Sequence, residues 1–228
     1  MAKTHEPTKK QKFVEGFSSF LSSNRLGILI FFIALIAVIA GLGITGTVRN
    51  SRLEKSAAAL EALEADFAAQ WTSVNQEEVS DEVKADLTSR AEALVSGYPR
   101  TFAAQRGLML LAGMAFDESR WEDAAGFYGR VSDGFPESYL APVALMNGAA
   151  ALEEAGKPAE AAALYRKIVD SYGEALQESL RASFNVGRLA EEAGDTAAAR
   201  TAYEWVIEKG GQDPWAMLAQ SRLLTLKS

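Results

Sequence analysis

The stretch EEAGKPAEAAALYRKIV, which begins at Glu153, is nearly restated by EEAGDTAAARTAYEWVI, which begins at Glu191. A step of 38 residues sets Asn147 against Asn185, Gly156 against Gly194, Ala161 against Ala199, Tyr165 against Tyr203 and Ile168 against Val206. A weaker third copy lies 37 residues upstream, with Trp121, Ala124, Tyr128, Val131 and Pro136 in the matching places. Repetition at this period confines the chain to architectures built by stacking one small unit. An alanine, an aromatic four residues later and a branched aliphatic three beyond it fall on one helical face. The glycine before them ends a preceding helix and permits a tight turn. Each unit is therefore read as a helical hairpin, in which the alanine marks where paired helices touch and the aromatic fills the gap to the next hairpin.

Composition agrees with an all-α chain and removes several function classes. Alanine, leucine and glutamate are dense after Arg49, and no alternating Val/Ile/Thr run suggests a sheet. Residues 49–228 carry 18 basic against 28 acidic side chains, an excess that repels phosphate backbones and argues against nucleic acid. There is no cysteine, and His5 is the only histidine, so no disulfide, thiolate site, histidine triad or zinc cluster is expected in the main domain. No phosphate-binding loop is present, since GLGITG at 41–46 sits inside an apolar run. The Glu153/Glu154 and Glu191/Glu192 pairs read as solvated helix ends. The expectation is a protein that is not an enzyme and takes no cofactor, metal or small-molecule substrate.

Between Arg25 and Arg49 lie 23 residues without a charge, LGILIFFIALIAVIAGLGITGTV. A helix of that length crosses the ~30 Å hydrocarbon core of a bilayer. It exceeds the usual apolar region of a cleavable signal peptide, so a retained anchor at 26–48 is expected. Five basic residues precede the span and three follow closely, which favours a cytoplasmic N-terminus and an exported C-terminal domain. Phe13, Phe17 and Phe20 at helical spacing suggest an interfacial helix in the tail, and Ala37 with Gly41 offers a surface for close helix approach. After the span, SRLEKSAAALEALEADFAAQWTSV reads as a long helix with Leu53, Leu60, Phe67 and Val74 seven residues apart. That series suits either a homo-oligomeric coiled coil through residues 53–74 or packing on a hairpin formed with residues 82–97. The expected organisation is a basic tail at 1–25, the span at 26–48, a membrane-proximal helix and degenerate hairpin at 49–104, three repeats at 105–213 and a capping helix at 214–228. In that last helix Trp215, Leu218 and Leu223 or Leu224 are available to cover the final repeat.

The Gly187, Ala112 and Ala149 positions, the Gly156 and Gly194 turns and the Ala–Tyr–aliphatic triplets resemble the tetratricopeptide repeat over residues 105–213. The units are longer than is usual there, and Gly173 and Gly211 stand where a proline is common. The resemblance implies a helical-hairpin solenoid whose first helices line a concave, protein-binding side. By phase that side includes Arg106, Met109, Gly113, Phe116, Met146, Asn147, Ala150, Phe184, Asn185 and Arg188. The family often presents an asparagine amide to a peptide backbone, which would give Asn147 and Asn185 that role; hydrogen bonding inside their own hairpins is the other reading. In order and length the whole plan is similar to the ancillary SecYEG translocon subunit family. That likeness implies a bacterial inner-membrane protein with a periplasmic domain, working with translocon subunits, periplasmic chaperones or exported chains. A structural subunit of an envelope assembly, in cell division, outer-membrane assembly or the flagellar motor collar, fits the same layout.

Overall fold

In the computed structural model, which describes residues 9–72, 79–173 and 177–226, every regular element is helical. The chain separates after Glu54 into two units. In the first, α1 (Lys9–Ser23) stacks Phe13 on Phe17, and Asn24 ends it by donating through both its backbone and side-chain nitrogens to Phe20 O. The helix α2 (Arg25–Phe67) follows, closing in a π-helical turn at Ala68–Thr72. It is the one described helix long and apolar enough to cross a membrane, and none of its apolar window is buried. Thr47 keeps its hydroxyl satisfied inside this apolar stretch by donating to Gly43 O.

The second unit, from Lys55 onward, contains the cores. Leu60, Leu63 and Trp71 are buried with Leu87, Ala91 and Leu94 of α3 (Asp81–Gly97) and Leu111 and Met114 of α4 (Phe102–Asp117). Phe67 packs on the same cluster. Polar ties fix the arrangement: Trp71 Nε1 donates to Asp117 Oδ2 at 2.8 Å, Arg106 pairs with Glu64 and Arg90 with Asp66. Leu60 and Phe67 are thus engaged inside the chain, so the seven-residue series does not offer the continuous outer seam a coiled coil needs; Leu53 is exposed, and Val74 lies outside the described residues.

Three hairpins follow: α4 with α5 (Trp121–Gly134), α6 (Leu140–Glu154) with α7 (Pro158–Tyr172), and α8 (Gln177–Glu192) with α9 (Thr196–Gly210). A single helix, α10 (Pro214–Thr225), ends the series. The repeating stripe is the interior. Ala124, Ala161 and Ala199 are fully buried, as are Val131, Ile168 and Val206, and Tyr128, Tyr165 and Tyr203 are at most 7 % exposed. Side-chain caps from Thr101, Asp195 and Asp213 start α4, α9 and α10, and Pro158 and Pro214 occupy first-turn positions where a missing N–H costs nothing. Gly173 and Gly211 have φ of 70° and 57°, a region closed to proline, which explains why proline is not found at these sites. The first repeat hairpin starts at Phe102, slightly ahead of the boundary at 105.

Candidate protein-binding face

The second helix of each hairpin lies on one side of the first, and this decides which first-helix positions remain open. Ser183 Oγ donates to Ala202 O, the Phe184 ring meets Tyr203, and a Cβ on Gly187 would come within 2.6 Å of the Tyr203 ring. Positions 183, 184 and 187 of α8 therefore face α9. The half-open positions lie elsewhere around the helix: Arg106, Met109, Gly113 and Phe116 on α4, Val143, Asn147 and Ala150 on α6, Asn185 and Arg188 on α8.

A polar clasp repeats along the ends of these helices. Tyr165 donates its hydroxyl to Glu153 Oε1 at 2.8 Å, and Arg188 of the next hairpin donates to Glu153 Oε2. One step on, Tyr203 donates to Glu191 Oε2 at 2.8 Å and Arg222 lies 3.9 Å from Glu191. Burial, reinforced by the adjacent carboxylate, pushes both phenols well above the ordinary tyrosine range. Burial works against the charge of Arg188, but hydrogen bonds to Glu153 and Glu192 outweigh it and raise its pKa. The doubled carboxylates of the repeat thus bind hairpin to hairpin.

The first hairpin departs from this scheme, with a consequence for Asn147. Phe116 occupies the place of Glu153 and packs edge-on against Trp121, 4.7 Å between centroids. Tyr128, without a carboxylate to meet, has the Asn147 side chain beside it, which favours the ionised phenol, but burial outweighs this and raises its pKa. Asn185 is engaged differently: Nδ2 donates to Arg181 O and Oδ1 accepts from Arg188 Nε. Asn185 is thus bonded within its own helix, and Asn147 lies beside Tyr128 of the preceding hairpin.

Of the other residues singled out by phase, Met146 and Phe184 are 4 % and 5 % exposed and belong to the core, so they shape the face without offering side chains to a ligand. Met109 and Phe116 pack partly against the core and Arg106 is held by Glu64. Among the described residues of the second unit, the strongly exposed aromatics are ones that phase alone passed over, Phe102 and Tyr139, 55 % and 72 % exposed. They stand one 37-residue step apart at the start of α4 and α6, each just after an aromatic–proline turn, a pattern that was readable in YPRTF and FPESY. Arg181 is exposed and rests over the Trp215 ring. On another side, a cleft of about 380 Å³ lies between the second and third hairpins, bounded by Ala162, Leu189 and Ala198 with Arg166 and Asp195 at its rim. Among the described residues no group of three His, Cys, Asp or Glu is placed to hold a metal ion.

The tetratricopeptide repeat family model matches residues 143–175, a stretch that holds most of α6 and all of α7. No curated protein matches the chain. The matched hairpin is similar to that family, and its neighbours α4/α5 and α8/α9 repeat its buried stripe, so the architecture is an all-α, tetratricopeptide-like solenoid. Repeats of this kind generally serve as surfaces for protein partners.

Proposed function

We propose that the chain is a membrane-tethered adaptor that receives protein partners on the open side of its first helices. One observation carries this reading: stacked hairpins leave Phe102, Tyr139 and Arg181 exposed at the starts of successive first helices, and large aromatics and arginines are the side chains that most often anchor protein interfaces. The clasped Glu, Tyr and Asn side chains beneath hold that surface rigid, which lowers the entropy lost on binding. The apolar helix near the N-terminus supplies the anchor, and the basic excess before it favours a cytoplasmic N-terminus with the repeats on the exported side. The order of tail, span and repeats supports a place beside the SecYEG translocon in the bacterial inner membrane, assisting exported chains.

The test is site-specific photo-cross-linking from Tyr139 in intact cells. Adducts to translocon subunits, periplasmic chaperones and exporting chains are expected, and Phe102→Ser with Arg181→Ser in the same chain should abolish them while leaving the far-ultraviolet dichroism unchanged. A fixed set of envelope-assembly subunits in the adducts would replace the export role with a structural one. A reporter after Ser228 that is active only in the cytoplasm would overturn the orientation.

A further inference from the structure

The joints between successive hairpins differ, and the difference opens the cleft between the second and third. At the first joint Lys157, at the start of α7, pairs with Glu122 in the first turn of α5, and Leu152 is buried. One repeat on, Asp195 takes the place of Lys157, Ala159 that of Glu122, Ala190 that of Leu152 and Pro158 that of Trp121. That ion pair has no counterpart here, and the bulky side chains have become small. They leave the cleft of about 380 Å³, with an apolar wall of Ala162, Leu189, Ala190 and Ala198. One position changes the other way, since Arg166 lines the cleft where α5 has Gly129. Arg166 is exposed, and among the described residues its guanidinium has no hydrogen bond or ion pair.

We propose that this cleft is a second protein-binding site, separate from the first-helix face, and that it takes an extended peptide segment with a basic residue, an aliphatic residue and an acidic residue at alternate positions. The occupant follows from the charges at the two ends. Because Lys157 meets Glu122 across the first joint, Asp195 stands beside Ala159 at the second, with Glu192 at the same end. Arg188 answers Glu192 but is shared with Glu153, so that end stays negative. Arg166 follows Ala159 by seven residues, about 10 Å along α7. An extended chain covers about 13 Å between its first and fifth residues and turns its first, third and fifth side chains to one side. The first then meets Asp195, the third enters the apolar wall and the fifth meets Arg166, with the flexible stems of long charged side chains taking up the difference. Exposed charges of this kind contribute little by themselves, so burial of the aliphatic side chain supplies the affinity and the charges fix the register.

The test is fluorescence anisotropy of labelled pentapeptides, Lys-Ser-Leu-Ser-Glu and its reverse, titrated with the full-length protein in detergent. One of the two is expected to bind saturably, and Glu-Lys-Leu-Ser-Ser, of the same composition with both charges at one end, at least about tenfold more weakly. Ala190→Leu, which restores the side chain of the first joint, should abolish binding by filling the cleft. Arg166→Glu should weaken binding at least about tenfold with thermal unfolding unchanged, because the side chain it replaces is exposed and unpaired. Exchanging the peptide glutamate for lysine should restore binding to the Arg166→Glu variant, a rescue that a purely structural role for Arg166 would not give. Saturable binding by neither peptide, binding indifferent to Arg166→Glu, or equal binding of the rearranged peptide would each overturn the proposal.

Discussion

At Gly187 the smallest possible addition meets the Tyr203 ring, which is fully buried and tied through its hydroxyl to Glu191 and so has nowhere to turn. Gly187→Ala should therefore destabilise the protein by about 1–3 kcal/mol, read as a lower urea midpoint. Gly113 also lies within a first helix, yet no atom stands within 4 Å of the Cβ it lacks, so Gly113→Ala should raise stability by up to about 1 kcal/mol through helix propensity alone. A second expectation follows from the phenols. Tyr165 and Tyr203 are held neutral by burial and by the carboxylates they donate to, so their folded pKa values lie above the unfolded value of about 10. The resulting stability is complete below about pH 10 and is lost as pH rises through the folded values, because the unfolded chain releases those protons first. Urea midpoints should fall across that alkaline range, and Tyr165→Phe with Tyr203→Phe should flatten the fall. Residue types and their phase were legible in the repeat, but the fate of the asparagines was not. Asn147 and Asn185 share a register, yet their surroundings differ: Asn185 bonds within its own helix, while Asn147 lies beside Tyr128, where Phe116 replaces the glutamate that meets the tyrosine in the later repeats.

Between elements, the ion pairs are not equivalent, and burial ranks them. Lys167 and Asp133 join α7 to α5 with side chains 44 % and 71 % exposed, and such a pair contributes little, so Asp133→Ala should change stability by no more than about 0.5 kcal/mol. Glu153 on α6 and Arg188 on α8 are each 23 % exposed, and Glu153 also accepts from Tyr165. Glu153→Ala strands that phenol and one of the three side-chain hydrogen bonds of Arg188, with an expected loss of about 1–3 kcal/mol. A double-mutant cycle with Arg188→Met should return a coupling of about 0.5–3 kcal/mol; coupling within error would reduce the clasp to an incidental contact. Hairpins as elements could be read from the sequence because small, large and medium residues at fixed helical spacing leave one way to pack. The role of residues 55–72 could not, since a seven-residue spacing serves a partner chain and the chain's own hairpin equally well. Leu63 and Trp71, which lie outside that spacing and are almost fully buried, are what commit this segment to α3 and α4.

For the molecule as a whole, charge and hydropathy are distributed in blocks with different solvents. Residues 26–48 carry no charge, while residues 49–228 carry ten more acidic than basic side chains. The second block satisfies its apolar surface by stacking hairpins, whereas Leu29, Ile33, Ile36 and Ile39 of the first are more than half exposed along α2, a state that water does not tolerate over so long a run. If the run is retained in a bilayer, the full chain should stay in the membrane fraction after high salt and alkaline carbonate and leave it only with detergent. Ile33→Arg with Ile36→Arg near the middle of the run should change that, because each arginine at the centre of a span costs about 2.5–3.5 kcal/mol of insertion. Two of them offset the apolar gain of many leucine-like residues at about 0.3–0.6 kcal/mol each, so the double variant should fail to insert and appear in the soluble or aggregated fraction. Phe13→Ser with Phe17→Ser should leave fractionation unchanged, because a tail helix lying on a surface adds only a marginal second contact to a chain that spans. If instead the tail variant is released and the double arginine variant is retained, the attachment belongs to α1, and the uncharged run must find its cover in protein.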